Sequence, residues 1–202
     1  PRRGVAAAFA SPRTNSPVLM AADFSIRLAT ATDREALTAL WQAFMQEQSA
    51  HDDRLPLSDD AAERWQNDLP AWLDDSTVRL WVAEQNGDAV GFVRAHRTGP
   101  PPVYADCAEV YIDEIFVHNA HRRHGIATAL VNAAARWAAT VDADRLRLST
   151  VAANEAATAF WQTYGAAPLA TIWTFPVDAE SGSEEDEGDV NEGSAKIGFD
   201  WN

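Results

Sequence analysis

The sequence predicts an α/β domain in which a mixed β-sheet is flanked by helices. Two observations support this fold class. Short runs with the two-residue period of strands alternate with stretches whose apolar residues recur at helical spacing. Their order is strand, two helices, three strands, helix, strand, helix and strand. With 202 residues, the chain is long enough for one domain with a full hydrophobic core.

Two helices are predicted after a short first strand at 25–28. The segment Thr32-Asp33-Arg34-Glu35 has the form of a capping box, which predicts a helix start. A second amphipathic segment begins at Ser58, and Pro70 is expected to kink or divide it. The apolar positions of the two segments, whose tryptophans we assign to the core, are Leu37, Leu40, Trp41, Phe44, Trp65, Leu69 and Trp72.

A hairpin and a buried strand are predicted next. Segments 78–84 and 89–96 flank Asn86-Gly87-Asp88, which is typical of a tight turn between antiparallel strands. The run from Val110 to Val117 is apolar except for two adjacent carboxylates and a tyrosine. Its composition predicts a strand that is covered on both faces.

The turn after this strand predicts an anion site. Residues 118–128 include Arg122, Arg123 and Gly125, and they open an alanine-rich helix that extends to about Ala139. The first amides of a helix have no partner within it and lie at the positive end of its dipole. Gly125 lets a ligand approach the main chain, and the two arginines add positive charge. A pyrophosphate fits such a turn.

A second motif follows a short strand predicted at 145–151. Asn154 is placed as the N-cap of a helix, and Gly165 as its end. Between them, apolar residues recur at Ala157, Phe160, Trp161 and Tyr164. The common nucleotide motifs G-x-x-x-x-G-K-[ST] and G-x-G-x-x-G do not occur in the chain.

Together the two motifs resemble the signatures of the GNAT superfamily of acyl-coenzyme A-dependent N-acyltransferases. The spacing Arg122-x-x-Gly125-x-Ala127 matches the first signature, and residues 154–165 match the second. The resemblance covers roughly residues 24–175. It implies a mostly antiparallel central sheet whose two central strands splay apart, with the coenzyme arm in the gap between them.

The resemblance further implies a site for acetyl-coenzyme A. The main chain at the end of the 110–117 strand would hold the pantetheine arm, and the following amides would hold the pyrophosphate with help from the Thr128 hydroxyl. Asn154 would reach the thiol side of the coenzyme, and Trp161 would pack beside the pantetheine. The implied binding residues are Ile115, Phe116, Val117, Arg122, Arg123, His124, Gly125, Ile126, Ala127, Thr128, Asn154 and Trp161.

In the resembled family the acetyl group passes directly to an amine, which must first lose a proton. Glu114 is the leading candidate for the base, alone or through a water, followed by Asp113 and Glu109. Strand alternation would send the two adjacent carboxylates to opposite faces. One of them could instead pair with an arginine such as Arg94 or Arg147 and only shape the sheet, and a water chain to solvent could remove the proton.

The oxyanion and the leaving thiolate also need partners. A backbone N–H near Val117 would stabilise the oxyanion. Trp161 occupies the position where many family members carry the tyrosine that protonates the thiolate, and an indole cannot act as this acid. Tyr164 lies one turn later and could substitute, or water could supply the proton.

Three functional hypotheses follow from the resemblance. The first is transfer of an acetyl group from acetyl-coenzyme A to the primary amine of a small molecule. The second is acetylation of a protein lysine or N-terminus, which a shallow open groove would favour. The third is a non-catalytic coenzyme A-binding module, which is suggested by Trp161 in place of the usual tyrosine and by the acidic tail. Candidate residues for the acceptor side are Trp65, Trp72, His51, Asp52 and Asp53.

Composition restricts the partners. The formal net charge of −14 argues against a nucleic-acid-binding surface and suits a cationic substrate. The single cysteine, Cys107, excludes an internal disulfide and a cysteine-based zinc site. A metal at His118, His121 and His124 would compete with the pyrophosphate, so no metal is expected. We expect a homodimer to be possible, but no sequence feature specifies its interface.

The domain boundaries follow from changes in composition. Residues 1–22 are expected to be a leader, 23–177 the acyltransferase domain, and 178–202 an acidic low-complexity tail. No apolar run approaches the roughly 20 residues that a membrane-spanning helix needs. We therefore expect a cytoplasmic enzyme without a membrane partner.

Overall fold

A computed structural model describes residues 23–175. The predicted leader and the acidic tail lie outside the described residues. The strands are β1 Ser25–Leu28, β2 Val78–Gln85, β3 Asp88–Thr98, β4 Glu109–Val117 and β5 Arg145–Leu148. The helices are α1 Arg34–His51, α2 Ala61–Asp74, α3 Ile126–Thr140 and α4 Glu155–Tyr164.

The five strands form one sheet in the order β1-β2-β3-β4-β5. All neighbours are antiparallel except β4 and β5, which are parallel. The β2–β3 turn places Asn86 and Gly87 at φ 54° and 91°, the left-handed conformation that a tight hairpin favours. This arrangement confirms the predicted mixed, mostly antiparallel sheet flanked by helices.

Each face of the sheet carries its own hydrophobic core. On one face, α3 and α4 cover a core whose buried residues include Val93, Ala95, Val110, Ile112, Val117, Ile126, Leu130, Trp137 and Trp161. On the other face, α1 and α2 cover Leu37, Leu40, Trp41, Trp65, Leu69, Leu80, Val82, Phe92 and Phe116. The assignment of Trp41 and Trp65 to the core is therefore confirmed. We call the face under α1 and α2 the acceptor face.

Strands β4 and β5 separate partway along their length. Their pairing ends at Ile112 opposite Leu148, whereas β4 continues to Val117. Among residues 23–175, no strand pairs with the β5 side of the last residues of β4. This opening, which we call the gap, confirms the predicted splay of the central strands.

A β-bulge in β4 corrects the predicted orientation of the two carboxylates. Arg94 pairs with Glu114 and Ala95 with Ile112, so that Asp113 is the extra residue. A bulge interrupts the alternation of strand side chains. Arg94 Nε lies 3.0 Å from Glu114 and Nη1 lies 3.6 Å from Asp113, which brings both carboxylates to the acceptor face. The prediction of opposite faces is wrong.

Local capping also differs from prediction in the first half. The carboxylate of Asp33 accepts a hydrogen bond from the Thr30 amide at 2.8 Å, which places the capping interaction before Thr32. Helix α2 begins at Ala61 and continues through Pro70 without division. Its buried residues Trp65 and Leu69 pack on the sheet next to the proline, and this packing compensates for the missing backbone donor.

Two strand predictions differ from the structure: one strand is shorter than predicted, and one does not form in the described residues. Strand β5 ends at Leu148, because β4 turns away at the bulge and leaves the following residues without a partner. The expected last strand does not form in residues 166–175, which make no pairing with the sheet within the described part of the chain. Several apolar side chains in this segment are exposed, including Leu169, Ile172, Trp173 and Phe175.

Candidate active site

The loop between β4 and α3 has a backbone that turns its amides toward one side. After the short turn Asn119–His121, Arg123 and Gly125 adopt φ 68° and 83°, both in the left-handed region. Left-handed residues within such a turn direct successive N–H groups into a concave surface, where an anion can bind. Gly125 adopts this conformation without the cost that a side chain would add.

The amides of this loop lack protein partners. Within residues 23–175, none of the amides from Arg123 to Thr128 donates a hydrogen bond, and the first helical bond runs from Ala129 N to Gly125 O at 3.0 Å. A Cβ atom placed on Gly125 would meet no atom of the described residues within 4 Å, so these residues leave the space in front of it open. We call residues 123–128 the amide cradle. Its donors and the dipole of α3 suit a phosphate group.

The side chain of Arg122 is directed away from the cradle. Its Nε donates to the carbonyl of Val117 at 2.8 Å, and its Nη2 donates to Glu47 of α1 at 2.7 Å. The guanidinium also lies 5.4 Å from the centre of the Phe116 ring. Arg122 therefore ties α1 to the end of β4, and its expected contribution of charge to the anion site is neutralised by Glu47.

The hydrogen-bond pattern of β4 identifies the main-chain groups that face the gap. The amide of His118 donates to the carbonyl of Val90 at 2.9 Å, and bonded pairs alternate along antiparallel strands. Phe116 is accordingly bonded to β3, whereas the N–H and C=O groups of Ile115 and the N–H of Val117 point toward the gap. The Val117 carbonyl on the same side is engaged by Arg122. The expectation that the Phe116 main chain holds the pantetheine is therefore corrected.

Helix α4 places its predicted residues in three different environments. Asn154 is 6% exposed, and its Oδ1 caps the helix by accepting from Ala157 N at 2.9 Å. Trp161 is 7% exposed and packs in the core under α3. The Tyr164 hydroxyl donates to Asn132 Oδ1 on α3 at 2.8 Å. This bond gives Tyr164 a structural partner, while its role as an acid stays a prediction.

Glu114 forms the centre of a polar cluster on the acceptor face. Its Oε1 accepts hydrogen bonds from the indole N–H groups of Trp41 and Trp65 at 2.9 and 3.1 Å. Its Oε2 accepts from Arg94 Nε at 3.0 Å. The guanidinium of Arg94 lies 4.1 Å from the centre of the Trp72 ring. One carboxylate thus joins α1, α2 and β3.

Asp113 is bonded to a residue that the sequence reasoning missed. Its two carboxylate oxygens lie 3.0 and 2.9 Å from His96 Nδ1. The available signal was the pattern Arg94-x-His96, in which two polar residues occupy one face of an otherwise apolar strand. Both side chains lie on the acceptor face.

Glu109 lies against two arginines of β5. This arrangement matches the alternative in which a carboxylate pairs with an arginine and only shapes the sheet. Glu109 is 1% exposed and accepts hydrogen bonds from Arg145 on β5. Arg147 Nε lies 3.3 Å from its other oxygen, which has no hydrogen-bond partner in the described structure. These contacts favour the alternative in which Glu109 shapes the sheet over its role as base.

A groove on the acceptor face lies between α1 and α2. Its volume is about 420 Å³, and it is open to solvent. The lining is largely apolar and aromatic, with Arg64, Asp68 and Arg94 as the charged members. The predicted acceptor residues Trp65 and Trp72 line it, whereas His51, Asp52 and Asp53 do not.

The described residues show neither a metal cluster nor a membrane helix. Within 23–175, no group of three or more His, Cys, Asp or Glu side chains could hold a metal ion. His121 Nδ1 instead lies 2.6 Å from Gln85 Oε1. None of the helices in this part of the chain is long and apolar enough to cross a bilayer.

Solved structures share this fold. A protein of Bacillus halodurans superposes with a TM-score of 0.68 at 19% identity, covering 76% of this chain and 99% of that one. An aminoglycoside N-acetyltransferase in complex with CoA gives 0.61 at 19% identity, covering 76% and 94%. A ribosomal-protein-alanine N-acetyltransferase from Brucella melitensis biovar Abortus 2308 gives 0.56 at 23% identity, covering 76% and 99%.

Sequence comparison assigns the family. No curated protein matches the chain. The family model described as the acetyltransferase (GNAT) family matches residues 35–166, which include the amide cradle, the gap and both signature motifs. The chain therefore belongs to the acetyltransferase (GNAT) family of acyl-coenzyme A-dependent N-acyltransferases, as its sequence motifs predicted.

Proposed function

We propose that this protein transfers an acetyl group from acetyl-coenzyme A to the primary amine of a small molecule. The observation that carries the proposal is the amide cradle, whose N–H groups have no partner within residues 23–175. Unsatisfied donors at a helix N-terminus bind anions readily. The coenzyme carries a pyrophosphate for this cradle and supplies the activated acyl thioester.

The residues around the gap fit the rest of the coenzyme. The N–H and C=O of Ile115 and the N–H of Val117 can bond to an amide-containing arm as a neighbouring strand would, while the Val117 carbonyl is engaged by Arg122. Asn154 keeps its Nδ2 without a hydrogen-bond partner within the described residues, which leaves a donor for the thiol-side portion. Either gap-facing N–H can stabilise a developing oxyanion, and a donor of this kind typically contributes about 10²–10³ in kcat.

The acceptor would enter from the groove. Its volume of about 420 Å³ lies within the range of small-molecule sites. Arg64 and Arg94 of the lining are paired with Asp60 and Glu114, so that Asp68 adds negative charge, and the net charge of −14 attracts cations to the protein as a whole. An amine with an apolar body would bury its carbon atoms against the tryptophans of the groove.

The contacts of Glu114 support a positioning role ahead of the predicted role as base. Its oxygens accept hydrogen bonds from Trp41, Trp65 and Arg94, and these bonds hold α1, α2 and β3 around the groove. The thiolate would take its proton from water or from Tyr164, whose hydroxyl is bonded to Asn132.

A protein acetyltransferase is the second candidate. The groove is open to solvent, a shape that also admits a peptide N-terminus or a lysine side chain. A solved neighbour with this fold is named as a ribosomal-protein-alanine N-acetyltransferase. The two candidates differ in whether the acceptor amine belongs to a small molecule or to a polypeptide.

A thiol-release assay separates these candidates. Acetyl-coenzyme A is presented with aminoglycosides, polyamines, arylalkylamines, amino acids and short peptides. We expect small amines to be acetylated with kcat/KM above that of every peptide. Activity confined to peptides would replace the small-molecule assignment with the second candidate.

A matched pair of variants tests the cradle. Thr128→Asp puts a negative charge into the exposed first turn of α3, where the helix dipole tolerates it but a pyrophosphate does not. We expect coenzyme affinity by calorimetry to fall at least about tenfold, or about 1.4 kcal/mol. Ala36→Asp makes the same charge change in the first turn of α1 and should leave the affinity unchanged. Equal affinities of the two variants would contradict the assignment of the cradle.

A further inference from the structure

His96 and Asp113 form a hydrogen-bonded pair at the bulge of β4. The Nδ1 atom of His96 lies 2.9 and 3.0 Å from the two carboxylate oxygens of Asp113. The side chain of His96 is 20% exposed, and that of Asp113 is 11% exposed. The imidazole also packs against Tyr111, with 5.7 Å between ring centres. The pair is fixed in place but reachable from solvent.

The position of the pair relates it to the gap. Asp113 follows Ile112, the last residue of β4 that pairs with β5, so the carboxylate stands where the gap begins. His96 shares the acceptor face with Arg94 of β3, which approaches Glu114. Arg94 also lines the groove, so His96 lies two residues along β3 from the groove lining, on the same face of the sheet.

The hydrogen bonds distinguish His96 from the neighbouring carboxylates. Glu114 accepts bonds from two indoles and a guanidinium, which engage both of its oxygens. Asp113 is engaged by His96. The Nε2 atom of His96 has no hydrogen-bond partner within residues 23–175. When Nδ1 donates its proton to Asp113, Nε2 carries a lone pair that can accept one.

We propose that His96, oriented by Asp113, is the general base that deprotonates the acceptor amine. The proposal rests on the proposed acetyl transfer. The ammonium gives one proton to His96 Nε2, and the imidazolium later releases it to solvent. The neutral nitrogen then adds to the acyl carbon to give a tetrahedral oxyanion, and collapse of this intermediate breaks the C–S bond and releases the thiolate. The second proton of the nitrogen ends on the thiolate, so that the products are the acetamide and the free thiol.

The charged and titratable groups around the imidazole are consistent with this role. Asp113 faces it from β4 at 2.9 Å and holds the imidazole in one orientation. Arg94, from β3, lies 3.6 Å from Asp113 and is itself paired with Glu114, so its positive charge is offset. Tyr111 separates His96 from Arg147 of β5, whose guanidinium lies 5.3 Å from the tyrosine ring centre.

Variants of His96 and a neighbouring control test the proposal. H96Q keeps a side-chain N–H that can donate to Asp113 but cannot accept the proton. We expect kcat to fall about 100-fold or more, because general bases contribute about 10²–10⁴. R97Q changes an exposed residue on the other side of β3 and should leave kcat unchanged. Calorimetry with acetyl-coenzyme A should give the same affinity for wild type and both variants.

Chemical rescue separates catalysis from positioning. Added imidazole should raise the rate of H96A, and the acid limb of the pH profile of kcat should lose one ionisation in H96Q. D113N should lower kcat. Added imidazole should still raise the rate of the double variant that carries H96A and D113N. An H96Q enzyme with more than about a third of the wild-type kcat, or an impaired H96A enzyme without rescue, would overturn the proposal while acetyl transfer by wild type stands. Wild-type protein that releases no thiol with any amine would instead overturn the proposed function, and this inference with it.

Discussion

Replacing Glu114 by Gln removes the negative charge on which three elements converge. The indole N–H groups of Trp41 and Trp65 lie 2.9 and 3.1 Å from Oε1, and Arg94 Nε lies 3.0 Å from Oε2. A glutamine offers one oxygen and one NH₂ group. Whichever way the amide is oriented, its NH₂ group must therefore face either the indole N–H groups or the guanidinium, which are donors as well.

The magnitude follows from these contacts. A hydrogen bond to a charged group contributes about 1.5–3 kcal/mol, and breaking a buried ion pair costs about 3–5 kcal/mol. Arg94 retains Asp113 at 3.6 Å, which reduces the cost of losing its other partner. We therefore expect the free energy of unfolding to fall by about 2–4 kcal/mol, equivalent to a Tm decrease of roughly 4–15 °C for a domain of this size.

Urea denaturation followed by tryptophan fluorescence measures this change, because two of the indoles are direct partners of the carboxylate. Glu63→Gln, an exposed substitution on α2, is the matched control and should stay within about 0.5 kcal/mol of wild type. A loss below about 0.5 kcal/mol in E114Q would refute the anchoring role. The pH profile of kcat tests the predicted base role separately, since an anchor changes the rate without removing an ionisation.

Three further changes probe the fold and the cradle. G91A would place a Cβ 2.7 Å from the carbonyl oxygen of Phe116, and we expect thermal unfolding to show a loss of about 1–3 kcal/mol. Arg27 lowers the pKa of Asp33 from its usual 3.8 to about 2, so the pair stabilises the fold above pH 4 and loses its effect as the pH falls through 2. Denaturation of wild type and D33N should accordingly differ by about 1–2 kcal/mol at pH 7 and converge near pH 2. R122A releases the end of β4 from α1, and we expect calorimetry to show several-fold weaker binding of acetyl-coenzyme A. The melting temperature of the variant is the control. An unchanged affinity would show that the Arg122 contacts do not contribute to coenzyme binding.

Local motifs were sufficient to predict the elements that form the coenzyme side. The strand, turn and helix around Gly125, and the capped helix from Asn154 to Gly165, depend on residues adjacent in the chain. Helix capping and left-handed glycines are determined by neighbouring residues, so they can be read without knowledge of the fold. The boundaries of α3 and α4 followed directly.

Long-range packing determined the features that the sequence did not predict. The bulge at Asp113 depends on how β4 matches β3, and the direction of Arg122 depends on Glu47, which lies far away in the chain. The partnership of His96 with Asp113 likewise forms only when two strands are placed in register. Alternation within one strand cannot reveal any of these contacts, because each depends on a second segment.

The bulge at Asp113 leaves the packing of both hydrophobic cores unchanged. Ile112 faces the α3 side and Phe116 faces the α1 side, as their core memberships show. If Asp113 were deleted, an ordinary pleat would still send each of these side chains to the layer that it occupies now. Packing of the two cores therefore does not require Asp113. Its carboxylate is available for the proposed role of orienting His96.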